Sequence, residues 1–351
     1  MSNRLNLALP FSVCQAEGCL KREGLMRCAA CHVVTYCSRD HQTSHRPSHK
    51  FHCNLIKKAL AKLNEEEAKL RAHTTDDDPF LPPNPFETAV GLFYTCEPTR
   101  TYMSARYDVV INQLNIRTGE AVEAALANLL DMLRLCRGDN MGVRSSIPAL
   151  YLRLGRDQEA FDFLKWYADV TPDFDWGDVE KPMLDVKDAD AFAPVELDSS
   201  GLGMDLSFKL ALLLIKARLF VDVSLLEGFL QKLGKDAPAD KMEIVEEEAM
   251  TNILSNRRDI VDAADYTPIM ATLRRQMVDI YTNIMAHNKY IVPGLENPTR
   301  YSAAQPRAYT RGDEGEAILA YRNSWYSWAE CPTVLQQILP LLKDVYRGER
   351  P

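Results

Sequence analysis

The chain has 351 residues, of which 46% are apolar and 26% charged, with a formal net charge of −8. These values are typical of a soluble globular protein. No apolar run reaches the ~20 residues of a membrane span, and residues 1–13 lack the apolar core of a secretory signal. We therefore expect an intracellular protein, cytoplasmic or nuclear, in which thiols stay reduced.

Cysteine and histidine are concentrated near the N-terminus. Six of the nine cysteines and five of the seven histidines lie within residues 14–53. In a reducing compartment such a cluster favours metal binding over disulfide bonds. Three cysteines lie outside the cluster and are predicted to be small core residues: Cys96, Cys136 and Cys331.

The candidate metal ligands form four closely spaced pairs. The pairs are Cys14–Cys19, Cys28–Cys31, Cys37–His41 and His49–Cys53. Zinc takes four thiolate or imidazole ligands in a tetrahedral arrangement, so eight donors predict two zinc ions per chain. Two alternatives stay open, since His45 can replace His41 and His52 can replace His49. His32 directly follows Cys31 and is interpreted as a bystander.

This segment resembles the MYND zinc finger. The residues that carry the resemblance are the cysteine pairs, Tyr36-Cys37-Ser38, Gln42, His49-Lys50 and Cys53. In that family the ligand pairs interleave. A chain of this size has too little core to fold alone, so metal binding must supply the folding free energy. The resemblance implies one site from Cys14, Cys19, Cys37 and His41, and another from Cys28, Cys31, His49 and Cys53.

Three features depart from the family pattern. His41 stands where the family usually has cysteine, and the first cysteine pair contains two additional residues. Both features bear on the first zinc site. Arg46 occupies a position where the family often has tryptophan, which removes an aromatic side chain that would pack or bind.

The rest of the chain has a helical pattern. Helices are predicted over 55–72, 101–115, 120–137, 141–154, 157–169, 204–232, 240–256, 266–287, 313–329 and 333–347. No stretch from residue 101 onward shows the alternation of a β-strand. The predicted fold class is therefore mostly α, with a small two-zinc finger followed by an all-α domain. The predicted domains are 1–54 (finger), 55–86 (helix and proline-rich linker) and 87–351 (helical), the last containing an acidic loop over 173–200.

Part of the helical region has tetratricopeptide-like spacing. Tyr151, Gly155, Ala160 and Pro172 match the positions of tyrosine, glycine, alanine and proline in a 34-residue helical repeat unit. A fainter copy lies upstream at Gly119 and Ala124. Ordinary antiparallel helices joined by a glycine turn are the alternative interpretation, because two weak units do not make an array.

The proline-rich linker contains the sequence P-x-L-x-P. Its residues are Pro79, Leu81 and Pro83, and some MYND fingers bind peptides of this type. One hypothesis is that the linker occupies the finger's own binding groove or that of a second copy. The alternative is that the linker only separates two domains.

The function that these features favour is that of an adaptor. The resemblance implies a finger that binds proteins or proline-containing peptides, and helical repeats bind partners in a concave groove. Two alternatives remain, namely a relative of the lysine methyltransferases that combine SET and MYND domains, or a transcriptional co-regulator. We find no SET core, expect no enzyme activity, and expect neither direct DNA binding nor membrane association. The sequence does not indicate the oligomeric state.

Overall fold

The computed structural model describes residues 9–73, 81–197, 205–234, 238, 240–297, 301, 306 and 308–348. These residues are mainly helical, with one short two-stranded antiparallel sheet near the N-terminus. The predicted fold class, a small finger followed by an all-α region, is confirmed. The chain divides into two compact units. We call Leu9–Leu150 together with Asp175–Pro182 the finger unit, and Tyr151–Phe174 together with the described residues from Met183 onward the C-terminal unit.

The finger unit begins with the sheet and continues with helices. Its strands are β1 (Met26–Arg27) and β2 (Thr35–Tyr36), and its helices are α1 (Arg39–Ala72), α2 (Pro85–Thr88), α3 (Glu97–Leu114) and α4 (Gly119–Leu135). A short 3-10 turn, Phe93–Thr95, lies between α2 and α3, and another, Val143–Ser146, follows α4. Helix α5 (Ile147–Arg153) then spans the boundary between the two units.

Helix α1 is much longer than the helix predicted over 55–72. It starts at Arg39 because the Ser38 hydroxyl caps it, accepting a hydrogen bond of 3.2 Å from the backbone N–H of His41. It runs through Pro47 to Ala72 without interruption. The predicted start was wrong because the metal-ligand spacing hid the helical pattern of the first four turns. One helix therefore carries three candidate ligands and also packs against α3.

The finger shares its core with α4. Ala121 of α4 is fully buried in the cluster that contains the finger cysteines, and Ile116 packs against the same cluster. The Thr118 hydroxyl donates a hydrogen bond of 2.7 Å to the carbonyl of Val33 in the finger. The division into units therefore differs from the predicted domains 1–54, 55–86 and 87–351, because the finger and the first helices bury one common surface.

The described part of the linker is packed within the finger unit. Leu81 is fully buried, and Phe86 of α2 packs against Phe93 and Tyr102. Pro79 lies outside the described residues. Leu81 is not a member of the finger's buried cluster. The hypothesis that this linker fills the finger's groove therefore has no support from the described residues, and Leu81 does more than separate domains.

The C-terminal unit consists of helices and long irregular connections. After α6 (Asp157–Asp169) come α7 (Leu206–Leu233), α8 (Met242–Glu248), α9 (Arg258–Val261), α10 (Thr267–His287), α11 (Ile291–Glu296), α12 (Glu314–Ala329) and α13 (Leu339–Gly348). A π-helical turn, Val334–Ile338, precedes α13. The helix predicted over 240–256 is broken after Glu248, and only a 3-10 turn, Leu254–Asn256, follows.

The tetratricopeptide-like spacing corresponds to one helical hairpin. Gly155 adopts a left-handed conformation with φ of +66° between α5 and α6, and Ala160 is fully buried. The N–H of Arg156 closes the turn on the carbonyl of Tyr151 at 3.0 Å. No helix follows α6 in the described residues up to 197, so a 34-residue period does not continue there.

The acidic loop predicted over 173–200 is irregular in its described part, yet side chains hold it. The Asp162 carboxylate accepts hydrogen bonds from the backbone N–H groups of Asp188 and Ala189 at 3.0 and 2.9 Å. The buried Lys216 ammonium donates to the carbonyls of Ala191 and Ala193 at 2.7 and 2.6 Å. These contacts fix the loop against α6 and α7. Among the described residues, no helix is long and apolar enough to cross a membrane.

Candidate metal centre

The finger brings all eight predicted ligands together in two clusters. Within each cluster the donor atoms lie within 4.8 Å of one another. The first cluster contains Cys14, Cys19, Cys37 and His41, and the second contains Cys28, Cys31, His49 and Cys53. The pairs interleave along the chain, as the family resemblance implies. The first cluster ties the loop before β1 to residues at the start of α1, and the second ties the loop between β1 and β2 to residues within α1.

The first cluster accommodates the two additional residues of its cysteine pair in a turn. The N–H of Cys19 bonds to the carbonyl of Ala16 at 3.0 Å, and Gly18 adopts a φ of +72°. Glycine suits this position because the left-handed conformation is strained for other residues. The turn returns the chain so that Cys19 Sγ lies 3.8 Å from Cys37 Sγ. The insertion therefore leaves the donor set complete.

His41 takes the place of the usual cysteine in this cluster by presenting Nδ1, the ring nitrogen nearer to the backbone. His41 Nδ1 lies 3.4 Å from Cys14 Sγ and 3.3 Å from Cys37 Sγ. Cys37 directly precedes the Ser38 cap and His41 lies in the first turn of α1, so both donors face the loop that holds Cys14. The open choice between His41 and His45 is therefore answered in favour of His41 by the geometry.

The second cluster is fully buried. Cys28 Sγ lies 3.7 Å from Cys53 Sγ, and Cys31 Sγ lies 3.5 Å from His49 Nε2. His49 and Cys53 are four residues apart on α1 and share one helical face. Burial lowers the pKa of His49 to about 4. The imidazole is therefore neutral at physiological pH, which is the form that binds a metal.

The distances between donor atoms fit tetrahedral zinc. With Zn–S of about 2.3 Å and Zn–N of about 2.0–2.1 Å, two sulfurs lie about 3.8 Å apart and a sulfur lies about 3.6 Å from a nitrogen. The sulfur–sulfur distances are 3.8 and 3.7 Å, and the sulfur–nitrogen distances range from 3.3 to 3.5 Å. Three thiols and one imidazole per cluster are donors that zinc prefers. The predicted cofactor content, two zinc ions per chain, is confirmed.

Two thiols, one from each cluster, differ in their pKa. Burial opposes a Cys14 thiolate, but hydrogen bonds from the backbone at Ala16 and Cys37 outweigh burial and lower the pKa of Cys14 to about 6. Burial raises the pKa of Cys31 to about 12. A zinc ion deprotonates the thiols that bind it. Cys31 therefore depends more strongly than Cys14 on a metal to become a thiolate.

The surplus histidines have other roles. His45 Nδ1 lies 3.0 Å from the hydroxyl of the buried Tyr36, and its ring stacks on that of His49 at 5.7 Å. By stacking on His49, His45 helps to orient this ligand from outside the cluster, as residues that surround metal ligands commonly do. His32 is exposed and belongs to neither cluster, as predicted. His52 also lies outside both clusters.

Sequence reasoning missed the residue that joins the finger to the helices. Thr118 caps α4 by accepting from the N–H of Ala121 at 3.2 Å while it donates to Val33. A threonine just before a predicted helix signals a cap. Its second contact joins residues 85 positions apart, and no local pattern predicts such a contact.

Comparisons with known proteins support the finger and nothing beyond it. Residues 12–53 match the family model described as MYND finger. No curated protein and no solved structure matches the chain. The matched segment contains both donor clusters and the two strands. The N-terminal part of this chain is therefore a MYND finger, a zinc finger of the kind that mediates protein–protein interaction.

Proposed function

We propose that this protein is a zinc-dependent adaptor, whose finger binds proline-containing peptides and whose helical region binds a further protein. The observation that carries the proposal is the closed donor set of each cluster. Four protein ligands satisfy tetrahedral zinc and leave no position for a reacting water, as catalytic zinc requires. The ions then serve to fold a surface rather than to perform a reaction.

The finger offers an exposed strand edge with apolar side chains. Both residues of β1 are exposed, and Met26 has 54% of its surface accessible. Leu20, in the preceding loop, is 85% exposed. The other strand is covered, because the N–H of Gln15 bonds to the carbonyl of Thr35. An extended peptide can add along an open strand edge through main-chain hydrogen bonds while its side chains contact the apolar residues.

Proline-containing peptides suit such an edge. A proline-rich segment is already extended, so it loses little conformational entropy when it binds. Lys21, Arg22 and Arg27 are exposed beside the apolar residues. The edge therefore presents an apolar centre with basic neighbours.

The helical region offers a separate concave surface for the second partner. A groove of about 1020 Å³ runs along α10 in the C-terminal unit. Its lining includes the apolar Phe220, Met270 and Val278 together with the charged Arg274 and Asp279. A surface of this mixed character supports binding of another protein rather than a membrane.

Binding of the full-length protein to a labelled P-x-L-x-P peptide tests the finger's role. Met26→Asp is expected to weaken binding about tenfold or more, since burying a methionine contributes about 1.5–3 kcal/mol. Phe51→Asp is the matched control, because Phe51 is 67% exposed on α1, away from the strand edge in sequence. Binding that is unchanged when the peptide prolines become alanine, or that survives Met26→Asp, contradicts the proposal.

The proposal includes the absence of enzyme activity. The main alternative is a methyltransferase related to the SET–MYND enzymes, and a transcriptional co-regulator would itself be an adaptor. Incubation of the purified protein with labelled S-adenosylmethionine and histone peptides distinguishes these functions. We expect no transfer of label. Transfer that is lost in a point variant would replace the adaptor by an enzyme.

A further inference from the structure

A cavity of about 540 Å³ in the C-terminal unit has no part in the function proposed above. Leu225, Pro332 and Gln337 are its exposed lining residues, so it opens to solvent beside them. Deeper lining residues, among them Leu152 and Met250, come from α5 and from the segment after α8. This volume is within the range of about 300–1,000 Å³ that small-molecule sites occupy.

Two buried ion pairs lie at the wall of this cavity. Arg153 donates two hydrogen bonds of 3.0 Å to Glu330, and both side chains are less than 5% exposed. Arg218 donates to the fully buried Asp157 at 3.0 Å. Buried ion pairs contribute little stability compared with apolar residues of the same shape. These two pairs fix charged side chains at the wall of the cavity.

The charges at this wall favour an uncharged ligand. Each guanidinium is already neutralised by its own carboxylate, so no positive charge remains to attract an anion. Glu248, which also lines the cavity, adds a negative charge. At this wall the buried Arg218 Nε meets no acceptor among the described residues, so it can donate to a ligand. A ligand with a carbonyl oxygen and an apolar part fits these requirements.

A cysteine lies at the same wall. Cys331 is only 4% exposed, lines the cavity, and its thiol lies 3.9 Å from the sulfur of Met250. Burial by itself lowers the pKa of Arg218, but its interactions with Asp157 and Cys331 outweigh burial and raise it. The guanidinium beside this thiol is therefore charged. The thiolate is the nucleophilic form of cysteine.

We propose that Cys331 is a modification site for small, uncharged α,β-unsaturated carbonyl compounds, which bind in this cavity before the sulfur attacks. The thiolate sulfur forms a bond to the β-carbon of the compound. The π pair of the carbon–carbon double bond moves toward the carbonyl, and a proton equivalent to the one that left the thiol is added at the α-carbon. The addition is balanced without an oxidant. The Nε–H of Arg218 donates a hydrogen bond to the carbonyl oxygen as that oxygen gains negative charge.

The labelling rate of single cysteines tests this proposal. Zinc-loaded, full-length protein is treated with limiting N-ethylmaleimide, and the modified peptides are quantified over time by mass spectrometry. Cys136 is the matched control, because it is also 4% exposed and its thiol donates to Asn140. It is not among the lining residues of this cavity. We expect Cys331 to react at least about tenfold faster than Cys136.

Two tryptophan substitutions separate entry through the cavity from unfolding. Leu225→Trp places a large side chain at the opening and is expected to slow the labelling of Cys331 several-fold. Leu341→Trp is the control, since Leu341 is similarly exposed, 38% against 40%, and does not line the cavity. Equal rates at Cys331 and Cys136, or equal effects of the two tryptophans on Cys331, would overturn the proposal. A rate at Cys331 that falls only in Leu225→Trp supports it.

Discussion

Replacing Thr118 with valine tests whether the finger and α4 stabilise each other. The hydroxyl of Thr118 caps α4 through the N–H of Ala121 and donates to the carbonyl of Val33. Valine has nearly the same shape and removes both hydrogen bonds. Thr118→Ser keeps the hydroxyl and removes only a methyl group, so it is the matched control.

The size of the effect follows from these two hydrogen bonds. Loss of a helix cap costs about 0.5–2 kcal/mol. Removing the donor to a buried carbonyl costs about 1–3 kcal/mol, since Thr118 is only 2% exposed and water does not take its place. We expect Thr118→Val to lower the free energy of unfolding of the finger unit by about 2–4 kcal/mol, and Thr118→Ser by much less.

Two assays on these variants test whether the finger and α4 stabilise each other. Urea unfolding followed by circular dichroism reports the helices, and transfer of zinc to a colorimetric chelator reports the finger. If the finger and α4 form one unit, Thr118→Val lowers the urea midpoint and also speeds zinc release several-fold. A lower midpoint with unchanged zinc release would show that the finger is stable without α4, and would refute the shared core.

Three further substitutions test other parts of the structure. Leu81→Ala should destabilise the finger unit by about 2–5 kcal/mol because the side chain is fully buried, whereas Leu92→Ala, at a 44% exposed position, should change thermal stability little. Burial lowers the pKa of Lys216 from 10.5 to about 7, so the unfolded chain binds more protons between these pH values. Stability should therefore rise with pH in this window by about 1.4 kcal/mol per unit more than in Lys216→Met, and equal slopes in urea titrations would contradict this pKa. Cys53→Ser should remove one zinc ion and loosen α1 while the C-terminal unit stays folded, and a collapse of most of the helical signal would show that the two units are interdependent.

The metal ligands were predictable from sequence because zinc imposes short, regular spacings. Each ligand pair lies within six consecutive residues, so the chemistry of each pair can be read locally. The turn at Gly18, which holds the two additional residues, did not disturb this pattern, since it brings Cys19 back to the first cluster. The choice between His41 and His45 required the structure, because both residues lie in the same helix one turn apart.

Contacts across long sequence distances were not predictable. The full length of α1 was missed because its first turns carry ligands and Pro47 instead of an apolar stripe. The burial of Leu81 was missed because a proline-rich segment is typical of a solvated linker. In both cases the core of the folded unit, and not the local sequence, determines the conformation.

The zinc content of the full-length protein tests the central claim, two closed zinc sites in one finger, most directly. Native mass spectrometry in the presence of a mild chelator should find two zinc ions in the wild type and in His45→Ala. His41→Ala should retain only the ion of the buried second cluster, because Nδ1 of His41 completes the first. One ion or none in the wild type, or loss of an ion from His45→Ala with two retained in His41→Ala, would contradict the assignment of these sites.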